Sequence, residues 1–270
     1  MQTAAVVTRL PPARPLVQMK NLAVTYASRR GPVTALEDVD FDLREGEFLS
    51  ILGPSGCGKS TLLKCVAGLE KPSSGEIRIA GSALAGPPEG LGVVFQRDVL
   101  LDWRTVLDNV LLVAEFQGRD IEALRPQARR ILARFGLEDC AERYPWELSG
   151  GMRQRASICR ALLTDPSLLL MDEPFGALDA MTRDDLNIEL ARLWLETRKT
   201  VMFITHSIAE AVFLSDRIVV MSRNPGRVVE IIDVDLPRPR TLSMRETQAF
   251  SVYTTRIRNM FTKLGVLQEG

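Results

Sequence analysis

Apolar and polar positions partly alternate over residues 16–26 (LVQMKNLAVTY), the period of a half-buried strand. A turn at Arg29, Arg30, Gly31 and Pro32 leads to a second strand region over 33–43. Glu45 and Gly46 then turn into 48–52 (FLSIL), an apolar run of buried-strand type. Glycines follow at 53, 56 and 58, and helical spacing begins at Lys59 and stops at Gly68. Pro72, Ser73, Ser74 and Gly75 turn into a strand over 76–81. From 97 to 163 the pattern is helix-rich, with helical spacing over 106–116 and 121–135. Strand and helix patterns then alternate: strand 167–171, helix 183–197, strand 200–205, helix 208–214, strand 217–222. Alternation of this kind predicts an α/β core. The predicted organisation is a loose arm over 1–15, marked by Pro11, Pro12 and Pro15. A core over 16–96 and 164–235 is interrupted by a helical insert over 97–163, and a weakly patterned tail covers 236–270.

A chain of 270 residues should bury roughly 70–75% of the surface its unfolded form exposes, which excludes a disulfide-stapled miniature. Lys+Arg and Asp+Glu both number 34, so the formal charge is zero. That balance gives no support to phosphate-neutralising nucleic-acid binding. No apolar run approaches the ~20 residues of a membrane span, and 4–7 is too short for a secretory signal. The expected location is the cytosol. Cys57, Cys65, Cys140 and Cys159 form no CxxC pair or Cys/His cluster, so four reduced thiols are expected.

Residues 53–60 read GPSGCGKS and fit GxxxxGK[ST] at every fixed position, between an apolar strand and a helix. The loop of Gly53, Pro54, Ser55, Gly56, Cys57 and Gly58 can surround phosphate oxygens with the backbone N–H groups it has, aided by the helix N-terminus. Proline itself lacks a donor. Lys59 reaches β- and γ-phosphates, Ser60 offers an oxygen to Mg²⁺, and Thr61 suits the α-phosphate. Residues 168–173 (LLLMDE) end a buried strand in two carboxylates at the edge where α/β sheets bind ligands. Asp172 suits Mg²⁺, and Glu173 suits polarisation of an attacking water. Ser149, Gly150 and Gly151, in LSGGM before a basic helix, form a second potential anion site.

Taken together, residues 16–235 resemble the ATP-binding subunits of ABC transporters. The resemblance rests on the phosphate loop, Gln96 in VVFQ, the LSGGM signature at 148–152, Asp172–Glu173, Asp179 closing FGALD, and His206 in FITHS. It implies a P-loop NTPase fold, with a RecA-like core, an N-terminal antiparallel β region and a helical insert. It implies ATP and Mg²⁺ as cofactors, with Ser60, Gln96 and Asp172 around the metal. Glu173, His206, Lys59 and Gln96 would carry the catalytic roles, and Tyr26 would stack on adenine. Ser149, Gly150 and Gly151 would act on the ATP of a second copy packed head-to-tail, with Asp179 in the D-loop. Met152 stands where the family's commonest signature has Gln, so that side chain's contact is lost.

The resemblance further implies integral-membrane permease subunits, an external substrate-binding protein, and a peripheral place on the cytoplasmic face of the inner membrane. FQRDVLLDWRTVLDNV and MSRNPGRVVEIIDVDLPRPR look like the nitrate, sulfonate and taurine branch of bacterial importers. Leu100, Leu101, Trp103 and Val106 either dock the permease or pack the insert's own core. A soluble ABC-type ATPase is the competing reading, but the interval from Gln96 to Leu148 leaves no room for a coiled-coil arm. A non-catalytic scaffold would have no need for Glu173 and His206.

Overall fold

A computed structural model describes residues 14–29 and 31–267. The arm expected over 1–15 therefore lies, up to residue 13, outside the described residues, and Pro15 already opens the first strand.

Strands β1 (Pro15–Tyr26), β2 (Val33–Arg44), β4 (Ser74–Ile79) and the two-residue β5 (Ser82–Ala83) form an antiparallel sheet in the order β2-β1-β4-β5. The second sheet has the order β10-β9-β3-β8-β7-β6. Its members are β3 (Phe48–Leu52), β6 (Leu91–Val94), β7 (Leu168–Asp172), β8 (Thr200–Thr205), β9 (Arg217–Met221) and β10 (Val228–Asp233). All pairings in it are parallel except β9–β10.

The parallel strands are buried on both faces, and their side chains sort alternately into two cores. Phe48, Leu52, Leu169, Met171, Val201, Phe203, Ile218 and Val220 face the larger core. Leu49, Ile51, Leu168, Leu170, Met202, Ile204, Val219 and Met221 face the other. That second core is closed by the antiparallel sheet and α1 (Lys59–Val66). The larger core is closed by α2 (Val106–Phe116), α3 (Ile121–Arg134), α4 (Gly150–Leu162), α5 (Ala180–Thr197), α6 (Ile208–Leu214) and α7 (Gln248–Lys263).

Helices α2 to α7 each begin with a side chain accepting a backbone N–H: Thr105, Asp120, Ser149, Asp179, Ser207 and Thr247. These caps satisfy donors that a helix start leaves orphaned. Helix α1 has no side-chain cap and no acidic residue in its first turn.

Besides the two-residue β5 and the edge strand β10, which the sequence pattern does not give, two parts differ from it. β6 is hidden because Gly92 stands in it. A Cβ there would lie 2.7 Å from the Ala161 carbonyl oxygen and 2.8 Å from Pro166, so helix α4 packs too closely for any side chain. The tail is also more than a weak appendix. Phe250, Ile257 and Phe261 of α7 enter the larger core. The buried Arg240 guanidinium donates to the carbonyls of Val212, Phe213 and Ser215 at the end of α6.

Candidate functional site

The ends of β3, β7 and β8 lie side by side, and each delivers part of one cluster. β3 runs into the glycine loop, β7 ends in Asp172 followed by Glu173, and β8 is followed by His206. The loop's backbone closes partly on itself, with Cys57 N–H donating to the Pro54 carbonyl at 3.3 Å. Its glycines serve different needs. A Cβ on Gly53 would lie 2.7 Å from Cys57 Sγ, and one on Gly58 would lie 2.6 Å from Leu36. Gly56, at φ 77°, would meet nothing within 4 Å, so that side of the loop is open to a ligand. The uncapped start of α1 supplies free donors and a partial positive charge there.

Lys59 is buried, and its ammonium donates to the Gly53 and Pro54 carbonyls at 2.9 and 3.1 Å. It also sits 3.4 Å from Glu173 Oε1. Ser60 Oγ donates to Asp172 Oδ1 at 3.1 Å. Burial raises the pKa of Asp172, the Ser60 hydrogen bond opposes that rise, and neighbouring Glu173 adds to it. Glu173 Oε2 accepts from Gln96 Nε2 at 3.4 Å and lies 3.2 Å from His206 Nδ1. Glu173 also has φ 44°, a strained conformation of order 1–3 kcal/mol that clusters at functional positions. Lys59, Gln96, Glu173 and His206 therefore form one contact chain beside Ser60–Asp172.

Tyr26 ends β1 above the loop, 37% exposed, with its hydroxyl 3.5 Å from Thr61 Oγ1. Ser55, between Pro54 and Gly56, is exposed on the same loop. Burial raises the pKa of the Cys57 thiol, although Lys59 opposes that rise, so Cys57 is a packing residue of the loop.

The signature segment lies elsewhere. Ser149 caps α4 by accepting from Met152 N–H at 3.3 Å, which leaves its own hydroxyl proton to donate. Gly150 is open, whereas a Cβ on Gly151 would lie 2.9 Å from Thr182 of α5. Asp179 caps that same helix by accepting from Thr182 N–H at 3.0 Å. Signature and D-loop are thus neighbours. Among the described residues, no hydrogen bond or ion pair joins Ser149, Gly150 or Gly151 to the phosphate loop. Met152 is half-buried against the larger core.

Sequence reasoning missed the supports behind these groups. Arg153 Nε meets Asp98 Oδ2 at 2.9 Å, and buried Arg160 donates to the carbonyls of Asp98 and Val99 at 2.9 and 2.7 Å. The signature helix thereby grips the segment after Gln96. Spacing of i and i+7 puts both arginines on one helix face, a signal present in the sequence. Glu210, buried behind His206, accepts from Thr205 Oγ1 at 2.5 Å and faces Arg183 at 3.6 Å. Of the apolar group after Gln96, Val106 is fully buried, Leu100 and Leu101 are half-buried, and Trp103 is 73% exposed. Among the described residues, no helix is long and apolar enough to cross a membrane.

Comparison with known proteins agrees with this geometry. The ABC transporter family profile matches residues 36–176. An ABC transporter ATP-binding protein of Methanocaldococcus jannaschii is 44% identical over 244 residues, covering 90% of both chains. The taurine import ATP-binding protein TauB of Rhizobium johnstonii is 48% identical over 224 residues, covering 83% of this chain and 86% of that one. TauB of Escherichia coli is 46% identical over 223 residues, with the same coverage. Among solved structures, a dimeric ATP-binding cassette in a post-hydrolysis state with ADP and Pi superposes with a TM-score of 0.73. It is 35% identical and covers 81% of this chain and 98% of its own. The chain belongs to the ABC transporter family, as an ATP-hydrolysing, ATP-binding subunit.

Proposed function

We propose that this chain is the energy-coupling ATPase of an importer for a small sulfonate or similar organic anion, and that it works as a head-to-tail pair. The observation that carries the reading is the convergence of Lys59, Gln96, Glu173 and His206 on one contact chain at the strand ends. The loop over 53–61 takes the phosphates through its backbone N–H groups, the α1 terminus and Lys59, while Tyr26 takes the adenine face. Ser60, Gln96 and Asp172 are hard oxygen donors that fit Mg²⁺, and Mg²⁺ when bound neutralises phosphate charge.

For hydrolysis, Glu173 accepts the proton of a water that attacks the γ-phosphorus as the bond to ADP breaks. His206 and Gln96 hold Glu173 Oε2 and the attacking water in place. The signature serine and the α4 terminus present donors, and among the described residues no hydrogen bond or ion pair ties them to their own chain's loop. A second copy brings them to the phosphate, with Asp179 and its neighbours at the seam, and adds charge stabilisation without an arginine finger. ATP then closes the pair, and loss of the γ-phosphate releases it.

Phe95, Val99 and Trp103 are exposed beside Gln96, at 37%, 53% and 73%. They suit a permease segment whose movement is felt at Gln96 and, through Arg153 and Arg160, at the signature helix. The chain then sits peripherally on the inner membrane, and a separate binding protein delivers the solute. The TauB relatives favour taurine or a close analogue as that solute. The test is capture with tagged chain from native membranes in ATP. A multi-span permease should accompany the parent and be lost with Trp103→Glu; capture of soluble proteins alone would point to the competing soluble ATPase.

A further inference from the structure

The hairpin between β9 and β10 is not part of the phosphate loop, yet it forms the loop's seat. Gly226 N–H donates to the Ala35 carbonyl at 3.0 Å, and Gly226 carbonyl accepts from Glu37 N–H at 3.0 Å. The hairpin turn is thereby hydrogen-bonded onto β2, where Leu36 forms a parallel bridge with Gly226. The phosphate loop rests in the angle between them. A Cβ on Gly226 would lie 2.0 Å from the Cys57 carbonyl oxygen and 3.1 Å from its carbonyl carbon. The same seat touches the loop at two more places. A Cβ on Gly53 would meet the Met221 carbonyl oxygen at 3.1 Å, and one on Gly58 would meet the Ala35 carbonyl oxygen at 2.8 Å.

Gly53, Gly58 and Gly226 thus mark a zone where three backbone segments pack closely, with Cys57 Sγ and the Leu36 side chain taking up the space that remains. Gly226 does not have a left-handed φ, so the backbone there would accept any residue. Space alone demands glycine, and what takes the space is the phosphate loop. We infer that Gly226 is a positioning residue for ATP binding: the β9–β10 hairpin fixes the Cys57 carbonyl and so the aim of the loop's N–H donors. The inference rests on the ATP-binding reading of 53–61.

Any side chain at 226 would drive the hairpin and the loop apart by about 1 Å, since the Cβ would start 2.0 Å from the Cys57 carbonyl oxygen, and so turn loop N–H donors off the phosphate oxygens. Losing about one charge-assisted hydrogen bond in this way should raise the Kd of a fluorescent ATP analogue for Gly226→Ala at least about tenfold. In the saturated enzyme kcat should fall less than KM rises, because of the catalytic side chains only Lys59 rides on the loop, whereas Gln96, Glu173 and His206 sit on other elements. Ser222→Ala is a gentler probe. Ser222 Oγ accepts from Arg227 N–H and donates to the Pro225 carbonyl, both at 3.3 Å, closing the hairpin without touching the loop. It should speed amide hydrogen exchange across 54–58 and weaken ATP severalfold. Parent affinity in a folded Gly226→Ala chain, or unchanged loop exchange and affinity in Ser222→Ala, would overturn the inference. A parent chain that itself failed to bind the analogue would instead overturn the ATP-binding reading.

Discussion

Replacing Arg240 by Met measures how firmly the C-terminal segment is built into the nucleotide-binding core. The guanidinium is buried and donates to Val212, Phe213 and Ser215 carbonyls at 2.8–3.0 Å. The carbonyls of Val234 and Leu236 lie farther, at 3.4 and 3.3 Å. Methionine fills similar volume but leaves the three closer carbonyls buried without a donor, at about 1–3 kcal/mol each. An opposing effect reduces that loss. Burial, aided by neighbouring Arg238, pulls the Arg240 pKa down to about 9, so the cation is held at a cost the variant escapes. The carbonyls outnumber the single charge, and the expected net loss is about 2–4 kcal/mol. With a urea m-value near the upper end of ~1–3 kcal/mol/M, the midpoint should fall by about 1 M with m unchanged. Arg240→Lys should fall between, since a point ammonium cannot satisfy the fork of carbonyls. A midpoint for Arg240→Met equal to the parent's would show instead that the charge penalty cancels the whole network.

Ser149→Ala should cut ATP turnover while leaving nucleotide binding by the isolated chain intact, because that hydroxyl serves the partner's ATP; a matching loss of single-chain binding would contradict this. Its cap on α4 is also lost, so about 1 kcal/mol of stability should go with it. Burial raises the Glu210 pKa, against opposition from the Thr205 hydrogen bond and Arg183. Between the ordinary carboxylate range and that raised value the folded chain binds more protons than the unfolded one. This contribution to stability therefore falls as pH rises through that window. Glu210→Gln should flatten that part of the stability–pH curve measured by chemical denaturation, and an unaltered slope would remove Glu210 as its source.

The site was legible where chemistry and local pattern coincide. GPSGCGKS carries its turn, its helix start and its ligands in eight consecutive residues, and LLLMDE carries a buried strand and its terminal acids in six. His206 needed the family resemblance, since a single histidine after a strand has no local signature of its role. β3, β7, β8 and β9 were legible because burial on both faces makes them continuous apolar runs, whereas the half-exposed edge strand β10 was not read. β6 was not, because its glycine answers to the backbone of α4, far away in sequence. The tail was missed for a similar reason. DLPRPR reads as a polar breaker, and only the fold turns Arg238 and Arg240 inward, onto Asp216 and the end of α6. The supports of the site, Arg153, Arg160 and Glu210, are polar residues whose burial depends on partners in other elements.

In the proposed function Glu173 is the base that drives ATP hydrolysis in a pair of these chains. Glu173→Gln keeps the side chain's shape and removes its capacity to take a proton. The direct measurement is ATP turnover alongside size-exclusion chromatography with light scattering, with and without Mg-ATP. Turnover should fall by at least about 10²-fold, the lower end of general-base contributions, with a dimer that forms only when ATP is present and then persists. Turnover at the parent rate would remove Glu173 as the base, and a variant that stays monomeric with ATP bound would remove the pair.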